Sequence, residues 1–112
     1  MSHKTYICNV VTIAMAPQGG RFVFRKIPVS SVKKLIEEED NNVIHAVGHE
    51  QTAQLANAQL GAEMVRFNRV SVRLADRDEM IVCQYIGPRL PEGCTTLPDG
   101  ADIVWYHVLF TE

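Results

Sequence analysis

The sequence predicts an α/β protein, a single domain over residues 1–112 built on a mixed β-sheet of five or six strands with flanking helices. Three observations lead there. Runs rich in β-branched and aromatic residues alternate along the chain with segments whose apolar residues recur at helical spacing. No internal repeat, low-complexity linker or shift in composition divides the chain. Its 112 residues, 46% of them hydrophobic, suffice for one core and not for two.

The elements follow in order. "TYICNVVTI" at 5–13 has strand composition and is broken by "APQGG". "RFVFRKI" alternates polar with apolar residues and predicts a half-buried second strand. Pro28 leads into a helix capped by Ser30 or Ser31, with Val32, Leu35 and Ile36 lining the face that packs on the sheet. The acidic run "EEEDNN" opposes the helix macrodipole, so the helix is expected to fray there into a solvated turn rather than hold a metal. "VIHAV" predicts a third strand, and "EQTAQLANAQLG" a second helix ending in a left-handed cap at Gly61. "RVSVRL" and "EMIVCQYI" flank the turn "ADRD" as an antiparallel hairpin, and "DIVWYHVLF" supplies the last strand.

Composition narrows the functions. Eleven basic against thirteen acidic residues give a formal charge of −2, which disfavours long duplex nucleic acid as a partner, because affinity there comes from neutralised phosphates. A small anion held by a few arginines needs only local charge. Cys8, Cys83 and Cys94 are odd in number and far apart, so reduced, idle thiols are expected rather than disulfides or a zinc site. No apolar run is long enough to span a membrane, and "MSHKTYICNV" lacks a signal-peptide core, so a cytoplasmic protein is expected.

The candidate site lies in "HAVGHEQTAQL". A strand that ends in glycine and enters a helix offers first-turn amide hydrogens and the positive end of the helix dipole to an anion. Gly48 allows close backbone approach, and His49 stands at the helix start, where an imidazole can donate a proton near neutral pH or simply cap the helix. His45, four residues earlier, lacks the glutamate placement of a zinc motif, and His3 and His107 read as bystanders. Asn9 and Gln84 are amides within strands and need partners, in a polar pocket or a neighbouring loop. Arg89 and Glu92, three apart in "RLPEG", are on spacing alone compatible with a surface ion pair.

Four pieces in this order, "NVVTIAM", "AVGHEQTAQL", "FNRVSVRL" and "RLPEG", resemble the viral type III anti-CRISPR ring nucleases and their bacterial relatives, a family formerly catalogued as a domain of unknown function. The resemblance implies a homodimer that binds cyclic tetra-adenylate, the second messenger of type III CRISPR systems. It further implies cleavage without metal or other cofactor to linear di-adenylates ending in a 2′,3′-cyclic phosphate. On matching positions it makes His49 the general acid, with Arg89 on the scissile phosphate and Glu92 supporting it. Asn9, Thr12, Gly48, Arg69 and Gln84 would hold or orient the nucleotide. The rival expectations are a sponge that binds the ring without cutting it, and a structural dimer.

Overall fold

The computed structural model describes residues 3–39, 43–90 and 96–112. Five strands, β1 (Thr5–Cys8), β2 (Arg21–Ile27), β3 (Ile44–Ala46), β4 (Glu79–Ile86) and β5 (Asp102–Thr111), form one mixed sheet in the order β2-β5-β4-β1-β3. β1 runs parallel to both its neighbours, β3 and β4, whereas β5 is antiparallel to β4 and β2. Two helices, α1 (Val29–Glu38) and α2 (Glu50–Leu60), complete the α/β architecture.

Alternation along the strands divides the core into two layers. On one face Ile7, Ile81, Cys83, Ile103 and Trp105 meet Val32 and Ile36 of α1 and Leu55 and Leu60 of α2. The Trp105 indole N–H donates to Gln59 Oε1 at 2.8 Å, which gives its polar edge a partner and ties α2 to β5. On the other face Tyr6, Cys8, Met80, Val82, Val108 and Phe110 are covered not by a helix but by Met15, Val72 and Leu74.

That covering accounts for the main difference from the sequence reading. "RVSVRL" does not pair into a hairpin. Among the described residues, the stretch 61–78 has only an isolated bridge between Val47 and Phe67. Its alternating Val72 and Leu74 bury their side chains on the helix-free face, while the Leu74 N–H donates to Met15 O at 2.8 Å. A period of two therefore records burial from one side, which a strap crossing a sheet satisfies as well as a strand within it. The turn that follows is held by Asp78, whose carboxylate is 2% exposed and accepts from Ala75 N–H and Lys4 N–H, each at 2.8 Å.

Other boundaries also shift. β1 stops at Cys8 instead of reaching residue 13; the chain leaves the sheet at Asn9 and makes a single 3-10 turn at Ile13–Met15. Helix α1 begins at Val29 with Pro28 at the cap and no side-chain hydrogen bond, so neither Ser30 nor Ser31 caps it. Proline fixes an extended approach and lacks the N–H that a cap would otherwise satisfy. The same helix carries its order through Glu38, further into the acidic run than expected. The Gly61 cap of α2 is left-handed, with φ 71°. Cys8 and Cys83 are free thiols and fully buried, as expected of idle cysteines; Cys94 lies outside the described residues. Among the described residues no helix is long and apolar enough to cross a membrane.

Candidate functional site

The carboxyl ends of the three parallel strands lie side by side. Asn9 follows β1, Gly48 and His49 follow β3, and Gly87 to Arg89 follow β4. In open α/β sheets this edge is where ligands bind, because the loops diverge there and leave a crevice. A cavity of about 750 Å³ opens at this edge, lined by Asn9, His49, Gln51, Thr52, Tyr85, Gly87, Arg89 and Leu90. That volume falls within the range of small-ligand sites.

His49 is the N-cap residue of α2, with extended backbone angles of φ −132° and ψ 114°. Its Nδ1 accepts the Thr52 N–H at 3.3 Å and lies 3.1 Å from the Thr52 hydroxyl. An Nδ1 that accepts leaves the proton of a neutral ring on Nε2, the nitrogen remote from the helix. The capping and the catalytic readings of His49 are thus compatible: one ring nitrogen holds the helix, and the other is available to a ligand.

Asn9 joins the loops. Its Oδ1 accepts the Gly48 N–H at 3.2 Å, binding the end of β1 to the β3–α2 turn. The Arg69 Nε donates to the Gly48 carbonyl at 3.3 Å, bringing a third segment to the same turn. Gly48 is therefore gripped on both backbone groups, and its N–H serves Asn9 rather than an incoming anion. A Cβ there would meet only Arg69 Cγ at 3.8 Å, so packing within the chain does not require glycine.

The loop after β4 is shaped by Gly87 and Tyr85. Gly87 has φ 149°, and a Cβ there would fall 2.7 Å from Ala101 Cβ and 2.8 Å from Ala101 Cα. The Tyr85 hydroxyl donates to the Pro88 carbonyl, closing the turn that presents exposed Arg89 to the cavity. Sequence reading singled out Arg89 but missed Tyr85 and Thr52; an aromatic and a threonine inside regular elements carry no separate signal until the fold places them at a crevice.

The structure brings together Asn9, Gly48, His49, Arg69 and Arg89. Thr12 and Gln84 lie elsewhere. Thr12 is exposed and precedes the 3-10 turn, and Gln84 lines a second groove, on the helix-free face, with Val10, Val11, Phe22, Phe24, Val82, Tyr106 and Val108. Strand parity decides this: Gln84 shares the face of Met80 and Val82, whereas Tyr85 shares that of Ile81 and Cys83. Glu92 lies outside the described residues.

The remaining histidines have partners. The His45 Nδ1 accepts the Arg66 N–H at 3.1 Å, and burial, with the Arg66 charge second, holds its pKa below the ordinary value. His3 and His107, unpartnered in sequence, both reach the Glu79 carboxylate.

The model of the STIV B116-like family matches residues 5–100. Among solved structures, B116 of Sulfolobus turreted icosahedral virus is similar to this chain with a TM-score of 0.74 and 28% identity, covering 94% of this chain and 97% of the viral one. No curated protein matches.

Proposed function

The chain belongs to the STIV B116-like family, and we propose that it is a metal-independent ring nuclease that binds and cleaves cyclic tetra-adenylate. The observation that carries this reading is the meeting of Asn9, His49 and Arg89 in one cavity at the carboxyl ends of the parallel strands. RNA supplies its own nucleophile. The ribose 2′-hydroxyl gives its proton to solvent as its oxygen attacks phosphorus, the bond from phosphorus to the 5′-oxygen breaks, and the products carry a 2′,3′-cyclic phosphate and a 5′-hydroxyl. Cutting twice, on opposite sides of the ring, yields two linear di-adenylates.

The protein's tasks are then alignment, charge stabilisation and one proton. Arg89 neutralises the phosphoryl oxygens, with Glu92 supporting it. His49 protonates the leaving 5′-oxygen from Nε2, and the Thr52 hydroxyl accepts from Nδ1–H once the ring is charged. Asn9 and Arg69 fix the Gly48 turn and so fix the position of His49. A homodimer suits a four-nucleotide ring, since a two-fold axis presents each residue twice and doubles the local positive charge on a chain of net charge −2. The apolar groove with exposed Val10, Val11 and Phe24 supports a second copy on the helix-free face. There Thr12 and Gln84 would join the ligand site through the interface. Cleavage in the cytoplasm of a host cell would remove the CRISPR signal.

One observation favours a second reading, a sponge without cleavage: His49 already has a structural task as the cap of α2. Single-turnover incubation of labelled cyclic tetra-adenylate in excess EDTA separates the two, with His49→Asn as the control variant. Asparagine caps helices well but is no proton donor at neutral pH. Cleavage by the parent and retained binding without cleavage by the variant support the nuclease. Equal binding and no cleavage by either support the sponge, and absence of binding overturns both.

A further inference from the structure

At the opposite end of the sheet, where β4 begins, Glu79 extends one carboxylate between two histidines. Its Oε2 lies 3.0 Å from His3 Nε2, and its Oε1 lies 2.8 Å from His107 Nε2. Chain register explains the convergence: Thr5 of β1 is paired with Glu79, and His107 of β5 is paired with Ile81, two residues further along β4. Helix α1 ends against the same place, with Glu39 as its C-cap. The ligand atoms of His3, Glu39 and Glu79 all lie within 4.8 Å of one another.

Two electrostatic costs coincide here. Glu39 and Glu79 place two like charges in one small space. Glu37, Glu38 and Glu39 crowd the negative end of the α1 macrodipole. Among the described residues no lysine or arginine forms an ion pair with Glu39 or Glu79. A bound cation would lift both costs at once.

We propose that His3, Glu39 and Glu79 form a divalent-cation site of zinc type. One imidazole nitrogen with two carboxylate oxygens suits zinc and its late first-row neighbours, whereas calcium and magnesium favour all-oxygen shells. The fourth position is left to water. His107, whose side chain is 17% exposed, is a positioning residue: its ring N–H donates to the Glu79 oxygen that does not face His3, which aims the other at the metal. The ion would join the segment before β1, the end of α1 and the start of β4. Because the cavity lies at the far end of the sheet, metal occupancy and ring cleavage are separate properties.

The test uses the full chain with any purification tag removed, stripped with EDTA and then titrated with zinc. Cobalt(II) serves as the visible-absorption probe of the donor set. One equivalent of zinc should raise the melting temperature of the parent, and cobalt should give the intense visible bands of a four-coordinate site. His3→Ala changes an exposed side chain and should melt like the metal-free parent, whereas metal-free Glu39→Gln should melt slightly above it because one of the crowded charges is gone; both should lose the zinc response. His107→Leu should weaken zinc binding roughly tenfold or more, and His107→Gln, which keeps an N–H donor, should restore much of it. Zinc binding of equal strength in the parent, His3→Ala and Glu39→Gln would overturn the site. So would an equal response to magnesium, which would remove the case for a nitrogen ligand.

Discussion

Replacing Thr52 by valine tests the protonation cycle of His49 at its hidden side. In the resting site the His49 Nδ1 accepts the Thr52 N–H at 3.3 Å, with the Thr52 hydroxyl 3.1 Å away. A general acid must carry a proton on both ring nitrogens before it gives one up. Charging the ring turns Nδ1 from acceptor to donor, and the backbone N–H beside it cannot respond. The hydroxyl can, because it both donates and accepts. Thr52 is 4% exposed, so water is a poor substitute for it. A hydrogen bond to a charged group contributes about 1.5–3 kcal/mol, and each ~1.4 kcal/mol is a factor of ten in rate. Thr52→Val should therefore slow single-turnover cleavage of cyclic tetra-adenylate by roughly 10- to 150-fold. The backbone cap survives the substitution, so helix content and ligand affinity should stay near those of the parent. Wild-type cleavage by Thr52→Val would refute the reasoning, since His49 would then act without needing a partner for a charged ring.

Three further expectations come from the same structure. Gly87→Ala forces a Cβ to 2.7 Å from Ala101 Cβ at a φ of 149°, and overpacking plus backbone strain should cost roughly 2–4 kcal/mol, read by denaturant unfolding, with weaker ligand binding through Arg89. His45 has its pKa lowered in the folded state, chiefly by burial and then by Arg66, so between that value and the ordinary ~6.5 the unfolded chain binds more protons. Its contribution to stability is complete above about pH 6.5 and is lost as pH falls through the depressed folded value; thermal melts should show this slope in the parent and less of it in His45→Gln. Burial pushes Cys8 up to about 11 and Cys83 up to about 12, so in a Cys94→Ser background neither thiol should react with a disulfide reagent at pH 8 until the chain is unfolded.

What could be read from the sequence was set by how local the cause is. Helix α2, its glycine cap and the strand-to-helix turn at His49 depend on neighbours within a few residues, and each stands where the pattern put it. "RVSVRL" failed because alternation reports one-sided burial and is silent about what the buried side rests on. That Gln84 lines the other face of the sheet was not legible for a related reason. A polar residue in a strand announces a partner but not which face it uses, and only the register of β4 against β1 and β5 settles that. The meeting of His3 and His107 at Glu79 was not legible because two separate strand pairings bring that carboxylate to them.

The site and the metal cluster illustrate one rule of parallel sheets from opposite ends. β1 places Asn9 beyond its carboxyl end and His3 before its amino end, only six positions apart in sequence, and its parallel neighbour β4 repeats that division with Arg89 and Glu79. Residues that follow β1, β3 and β4 gather at the crevice, where loops diverge and a ligand can enter. Residues that precede or open β1 and β4 gather at the other end, against the acidic terminus of α1. A chain with net charge −2 can thereby put its pocket arginine, Arg89, at one end and the neighbouring carboxylates Glu39 and Glu79 at the other. Local potential in the crevice is decided by that separation and not by the total. The same separation predicts that charge changes at Glu39, made to test the metal, should leave nucleotide affinity nearly unchanged at physiological salt, where the screening length is about 8 Å.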